Sequence, residues 1–282
     1  MNSGTRPSNI TVITVCYNSE SVINGMVDSV PNDFPIILVD NGGEHRLPDF
    51  SEKKNVQLVK LTSNEGFGRG CNAGADFAQT PYVLFLNPDA RLESGALEAL
   101  SLAAERYPSA VAFNPRISEA DGGEYFKRRS YLLPRKRHLR RGWPAGDTVV
   151  PILSGAAMLV RKPVFDKVGG FDPKIFLYHE DDDLSLRLQE HGQLMFIYDA
   201  VVYHAGGHGT GRSARNAYIK AYHMAKSRIY TGRKHKRPMP EVSAILDFLM
   251  LCVLPTTWLS KRRRSKVLGF LSGLKHEIFG LS

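Results

Sequence analysis

Cysteine is scarce in this chain: there are three in 282 residues, Cys16, Cys71 and Cys252, far apart and in no Cys-x-x-Cys or Cys/His ligand spacing. That excludes a disulfide framework and a zinc site of the usual pattern, and a reducing interior is the default setting. Long apolar runs are lacking too. The most apolar stretch, residues 244–259, is broken by Asp247 and Pro255 and falls short of the ~20 residues a spanning helix needs. The apolar stretch Ile10–Cys16 is too brief for the core of an export signal, so none is expected. Gly66, Gly68 and Gly70 are evenly spaced rather than in G-x-G-x-x-G order, and no P-loop lysine follows them. There is no internal repeat and no low-complexity tract.

What is present is an ordinary globular composition, 43% hydrophobic and 23% charged, with an uneven charge. Residues 211–282 hold 15 Lys and Arg against 3 Asp and Glu, whereas the rest of the chain has 22 basic and 25 acidic residues. Short runs rich in Val, Ile and Leu, at Ile10–Val15, Phe34–Val39, Val56–Leu61, Tyr82–Leu86 and Ala110–Phe113, are separated by turns or helical patterns such as Ser94–Arg106. Strand alternating with helix predicts a doubly wound α/β fold with a mainly parallel sheet, which binds ligands at the carboxyl ends of its strands. Those ends are Tyr17 and Asn18, Asp40 and Asn41, and Asn87 to Asp89. Residues 116–150 are polar and basic and are expected to form a mobile loop or hairpin. Further strands are expected at Pro151–Val160, Leu194–Tyr198 and Val201–Tyr203, and a helical, basic extension follows from Ala214.

Five constellations could carry chemistry. Asp40 ends a buried strand, where a carboxylate can bind a pyrimidine N3 hydrogen or a ribose hydroxyl; the same Asp-Asn-Gly-Gly is also common turn chemistry. Residues 64–74, NEGFGRGCNAG, open a helix with glycines that suit either ligand approach or close packing. Asp89, after Asn87-Pro88, can hold a hard divalent cation beside a diphosphate, or cap a turn. His204, with His208 after it, suits a metal or a diphosphate, although a lone histidine is usually just packed. The fifth is the acid run Glu180 to Asp183 within GGFDPKIFLYHEDDDLSLR, residues 169–187. On a helix opening at Glu180, Asp181, Leu184 and Leu188 share one face, and Asp183 reaches Arg187 at i, i+4. Asp181 then faces a cavity roofed by Phe176 and Tyr178, Asp183 is an ion-pair partner, and Asp182 faces solvent. Alternatively, all four acids merely complement the helix dipole, at about 0.3 to 1 kcal/mol each.

The motifs TVCYN (14–18), VDNGG (39–43), NEGFGRGCNAG (64–74), LNPDARL (86–92), LSGAAMLVRK (153–162), the acid segment (169–187) and YHAGG (203–207) occur in one order. In that order the chain resembles the inverting GT-A glycosyltransferases of family 2, particularly the bacterial rhamnosyltransferase-like group. The resemblance implies a catalytic domain over residues 1–210, with a nucleotide-sugar half at 1–115 and an acceptor half at 116–210, followed by a basic helical region at 211–282. It implies a nucleoside-diphosphate sugar of dTDP, UDP or GDP type, and a lipid-linked or saccharide acceptor in cell-envelope polysaccharide synthesis. The donor and acceptor contacts it implies are Thr14, Tyr17, Asn18, Asp40, Asn41, Asn64, Gly66, Phe67, Gly68, Asn72, Asn87, Ser154, Gly155 and Glu180. Asp181 takes the place of the catalytic base. Asp89 and His204 take the place of ligands to Mg²⁺ or Mn²⁺, with Asn87 where the family's usual D-x-D has its first acid.

The basic residues Lys261 to Arg264 and Lys266 adjoin apolar residues, which suits a cytoplasmic protein peripheral on an anionic membrane surface. Two other classes share some of these features. A sugar nucleotidylyltransferase would need a glycine-rich opening with arginine and a downstream Lys-Pro, which are missing. A nucleic-acid-binding protein fits the high isoelectric point but not the interleaving of tail charge with Leu, Phe and Trp, so no nucleic-acid partner is expected.

Overall fold

The computed structural model describes residues 8–43, 46–53, 55–119, 122–204, 213–253, 257 and 259–280. Among them the elements run β1 (Ile10–Cys16), α1 (Ile23–Asp28), β2 (Ile36–Asp40), β3 (Val56–Lys60), α2 (Phe67–Ala75), β4 (Tyr82–Leu86), β5 (Ala90–Leu92) and α3 (Ala96–Arg106). There follow β6 (Ala110–Glu119), β7 (Glu124–Tyr125), β8 (Thr148–Val149), β9 (Ala157–Arg161), α4 (Lys162–Lys167), α5 (Glu180–Leu188) and β10 (Gln193–His204). Three longer helices close the chain: α6 (Ala214–Lys234), α7 (Pro240–Val253) and α8 (Lys261–Phe279).

The strands form one sheet in the order β3-β2-β1-β4-β9-β6-β10-β5, with β7 beside β6 and β8 beside β10. β1, β2, β3, β4, β6 and β10 all point the same way, and β9 runs antiparallel between β4 and β6. Every residue of β1 is buried, as a central parallel strand covered on both faces requires. One face packs α1 and α3 through Ile23, Met26, Leu97 and Leu100, and the other packs α2, α4 and α5 through Cys71, Phe165, Leu184 and Leu188. The carboxyl ends of β1, β2 and β4 therefore meet along one rim, where doubly wound sheets take their ligands.

Several expectations for the second half are corrected. Of the two alternatives for residues 116–150 the structure has the hairpin, in which β6 continues to Glu119 and pairs antiparallel with β7, while Leu132 and Leu133 beyond it are buried rather than part of a mobile loop. Pro115 lies inside β6, opposite Ile197, where β10 shifts register between Ile197 and Val201. A proline cannot donate to the ladder, and the bulge accommodates it. The same bulge divides the apolar pattern of β10, so the two strands expected at 194–198 and 201–203 are one. The strand expected from Pro151 begins only at Ala157, and Pro151 to Leu153 are buried irregular chain.

The helical extension has a small core of its own, with Ala221, Ala225, Ile229, Ala244, Phe270 and Leu274. Gly269 and Gly273 bring α8 against α6 so closely that a methyl group at either would strike the carbonyl of Tyr218 or Tyr222. α6 is tied to α5 through Asp183, which has no exposed side-chain surface and accepts from Arg187 Nη2 at 2.8 Å, Lys234 Nζ at 2.7 Å and His235 Nε2 at 2.8 Å. Burial alone would raise its pKa, but His235, Arg187 and Lys234 outweigh burial and hold it at about 2. Because the folded value lies below the unfolded value of about 3.9, this stabilisation is full above about pH 4 and is lost as pH falls through about 2. Asp183→Asn leaves Arg187 and Lys234 facing a neutral group and is expected to cost about 3 kcal/mol in urea unfolding at pH 7, with the deficit shrinking toward pH 3.

Candidate active site

The rim after β1, β2 and β4 opens into a cavity of about 460 Å³. Asn41, 2% exposed, organises its floor: its amide donates to Asn64 Oδ1 at 3.1 Å and to the Gly66 carbonyl at 3.2 Å, and its Oδ1 accepts from Glu65 N at 2.9 Å. Gly66 has φ +90°, and a Cβ there would collide with the Phe176 carbonyl, so only glycine lets α2 start against this loop. Of the residues expected from sequence, Tyr17, Asn41, Asn64, Gly66, Phe67 and Asp89 line the cavity. Asp40 is half-buried at the end of β2, next to Asn41 but outside that lining. Asn18 follows Tyr17 with φ +52°, a left-handed turn.

Other expected contacts are turned elsewhere. Thr14 is fully buried and its hydroxyl points to Met26 Sδ, inside the core beneath α1. Gly68 packs on Phe171, and Asn72 joins α2 to the same residue, donating to its carbonyl and accepting from its amide, both at 2.8 Å. Ser154 is buried, its amide donating to Asn114 Oδ1 at 2.5 Å. These four hold the walls rather than face the cavity.

Asp89 and His204 come together although β4 and β10 are not neighbours: Asp89 Oδ1 lies 3.2 Å from His204 Nε2. β5 makes this possible by pairing antiparallel with the end of β10, Ala90 opposite His204. The Asn87 amide nitrogen is 3.3 Å from the same imidazole nitrogen. The residues fit a divalent cation, since an oxygen and a nitrogen this close can share one ion at bond lengths of about 2.1 Å. Among the described residues no group of three or more Asp, Glu, His or Cys could hold a metal, so the remaining ligands would be diphosphate oxygens or water. His208 lies outside the described residues.

The acid run opens α5 as expected, but its members differ. Two left-handed residues, Tyr178 at φ +69° and His179 at φ +65°, turn the chain sharply into the helix. Asp183 pairs with Arg187. Asp182 does not face solvent: it is 4% exposed, with Oδ1 2.8 Å from Lys127 Nζ and Oδ2 2.9 Å from His179 Nδ1. Burial alone would raise its pKa, but Lys127 and His179 overcome this and hold it below the usual carboxylate range. Asp181 Oδ2 takes Lys127 Nζ at 2.5 Å and Gly155 N at 2.9 Å, and Oδ1 takes Asp182 N at 2.8 Å. A carboxylate has about four lone-pair positions, so one remains for a further donor.

Lys127, the partner of both Asp181 and Asp182, was not marked by the sequence. It sat in a basic run that reads as solvated charge, and nothing local marks it as the counter-ion of an acid pair far along the chain. Burial would lower its pKa, but Asp181 and Asp182 more than offset that and keep it charged. Glu180 is opposite in character: burial and the adjacent Asp181 push its carboxyl up to about 8. It therefore carries a proton at neutral pH. Its Oε2 and the Nε2 of His179 are sealed from solvent with no hydrogen-bond partner among the described residues.

A model described as Glycosyl transferase family 2 matches residues 11–169, more than half of the chain. The chain belongs to that family. N-acetylglucosaminyl-diphospho-decaprenol L-rhamnosyltransferase of Mycobacterium tuberculosis is 31% identical to this family 2 member over 71% of this chain and 75% of the relative. Rhamnosyltransferase WbbL of Escherichia coli K12 is 27% identical over 79% and 92%. The mannosyltransferase PcManGT from Pyrobaculum calidifontis, solved with GDP-Man and Mn²⁺, superposes with a TM-score of 0.59 at 15% identity, covering 99% of this chain and 89% of that one. S. aureus TarS 1–349 with UDP-GlcNAc gives 0.57 at 14% identity, covering 96% and 92%. The fold is the GT-A fold, and the protein is a glycosyltransferase of family 2.

The position of Glu180 sets a pH dependence for this enzyme. As pH rises through about 8, Glu180 loses its proton and places a second negative charge beside Asp181. Turnover is expected to decline over roughly pH 7.5 to 9, and Glu180→Gln, which cannot ionise, is expected to flatten that limb in a kcat/KM profile.

Proposed function

We propose that the protein transfers a sugar, rhamnose being the leading candidate, from a nucleoside-diphosphate donor to a lipid-linked saccharide, with inversion at the anomeric carbon. The observation that carries this reading is the link between two sites: the Asp181 carboxylate, outside the lining of the 460 Å³ cavity it was expected to face, has a lone pair to spare and accepts from Gly155 N, and the carbonyl of the next residue, Ala156, accepts from Asn87 N at 3.0 Å, beside the Asp89–His204 pair. The likeness to rhamnosyltransferases supports the sugar, and one of these relatives is named for an N-acetylglucosaminyl-diphospho-decaprenol acceptor.

In this reading the nucleotide lies along Tyr17, Asn41, Asn64 and Phe67, with Asp40 at its edge, and the diphosphate lies toward Asp89. Asp89 and His204 would hold Mg²⁺ or Mn²⁺, which when bound offsets negative charge on the departing diphosphate. Asp181 accepts the proton of the acceptor hydroxyl as that oxygen bonds to the anomeric carbon. The bond from that carbon to the diphosphate oxygen breaks, and its electron pair leaves with the nucleotide. Lys127 and Gly155 hold the Asp181 carboxylate in position, and Glu180, being neutral, adds no further negative charge beside it. Residues 1–210 form the catalytic domain in this reading, and residues 211–282 a basic helical region that faces the membrane.

Among the described residues no helix is long and apolar enough to cross a membrane. α7 nevertheless leaves Val242, Leu246, Leu249 and Val253 exposed along one stripe, and Lys261 to Arg264 follow it, all exposed. A stripe of this kind beside a cluster of cations suits peripheral binding to the anionic cytoplasmic leaflet.

Thermal shift with dTDP, UDP and GDP, each with and without Mn²⁺, tests the donor site. One nucleotide is expected to raise Tm markedly more with Mn²⁺ than without. Asp89→Ala is expected to abolish the Mn²⁺-dependent part of that shift while leaving the Tm of the free protein within a few degrees. A Tm insensitive to all three nucleotides and to Mn²⁺ would contradict the proposal.

A further inference from the structure

A second cavity, of about 640 Å³, lies between α6, α7 and α8. It shares Tyr178 and Lys220 with the donor cavity, so the two meet where the chain turns into α5. Four cationic side chains line it: Lys220 from α6, and Arg262, Arg263 and Lys266 from the first two turns of α8. One carboxylate lines it, Asp247, and this is already engaged by Arg228 Nε at 2.7 Å. The remaining surface is largely apolar, including Met224, Leu251 and Phe270. Met250 lines the cavity too and is 70% exposed, which joins the cavity to the apolar outer side of α7.

Like charges gathered around an apolar pocket repel one another, so the arrangement calls for an anion. Its lining calls for an anion with an apolar tail, because the cations share the cavity with Met224, Leu251 and Phe270 and the apolar surface continues through Met250 to the exposed Leu249 and Val253 of α7. A nucleotide needs base-reading amides, such as Asn41 and Asn64 in the first cavity, and among the described residues no Asn or Gln lines this one. The orientation of α8 adds to the effect, since its N-terminus, which carries no side-chain cap at Ser260, opens on the same residues.

We propose that this cavity binds the diphosphate of a polyprenyl-diphosphate-linked acceptor, with the prenyl chain leaving over α7 toward the bilayer. Arg262, Arg263 and Lys266 hold the phosphates, and Lys220 stands at the junction with the donor cavity. The saccharide then reaches past Tyr178 toward Asp181. This rests on the glycosyltransferase reading, and it adds an acceptor subsite built by the C-terminal helices, outside the segment matched by the family model.

The test uses the full chain and the double variant Arg263→Gln, Lys266→Gln, both residues being exposed and neither contacting the donor cavity. Isothermal titration is run with farnesyl diphosphate, inorganic pyrophosphate, farnesol and the preferred nucleotide with Mn²⁺. Farnesyl diphosphate is expected to bind the unaltered protein more tightly than pyrophosphate or farnesol, and at least tenfold more weakly to the double variant, with nucleotide affinity unchanged. In turnover, KM for a lipid-linked acceptor should rise by a similar factor without change in donor KM. Equal farnesyl diphosphate affinity in the two proteins would overturn the proposal, as would pyrophosphate binding as tightly as the prenyl compound, or a parallel loss of nucleotide affinity. Failure of the glycosyltransferase reading shows itself separately, as absence of nucleotide binding in the unaltered protein whatever the prenyl result.

Discussion

Placing adjacent carboxylates in one largely buried helical turn is costly, because each loses hydration and repels the next. The site described here depends on how that cost is offset at the start of α5. Asp183 is neutralised from the side of α6 and by Arg187, Asp182 by Lys127 and His179, and Asp181 by Lys127 and the Gly155 amide. Glu180 keeps its proton instead. With its neighbours compensated, Asp181 is held as an oriented carboxylate by Lys127 and the Gly155 amide.

The same arrangement couples parts of the chain that a catalytic core and an appended tail would leave independent. Ser227 of α6 donates to the Leu177 carbonyl at 2.8 Å, and His223 stacks on Phe176 with ring centroids 4.2 Å apart. Burial and Lys226 lower the pKa of His223 to about 4, so the stacked ring is neutral at working pH. Phe176, Leu177 and Tyr178 line the 460 Å³ cavity together with Asn216, Ile219 and Lys220 of α6. The C-terminal helices thus help to shape the cavity at the rim of the sheet.

Much of the first half was legible in the amino-acid sequence because its physics is local. Strands covered on both faces must be continuous apolar runs, and β1, β2 and β4 read that way, so their polar ends marked the rim. The Asp183–Arg187 pair followed from helical spacing alone. Long-range partners left no such mark: Lys127 looked like any surface lysine, and Asp182 looked solvent-facing until that lysine and His179 closed over it. Thr14, Gly68, Asn72 and Ser154 stand in motifs beside the site, and sequence order cannot tell a residue that lines a wall from one that braces it from behind. β10 was divided in two because its bulge interrupts the alternation on which strand reading relies.

The central claim is that Asp181, held by Lys127 and Gly155, is the base, and that its neighbours serve it without replacing it. Steady-state turnover of Asp181→Asn tests it most directly, measured beside its donor affinity and its Tm. The account predicts a fall in kcat of about a thousandfold, with nucleotide affinity within a few-fold of the unaltered enzyme and an unchanged fold. Turnover within tenfold of the unaltered enzyme, in a variant that binds donor normally, would contradict it.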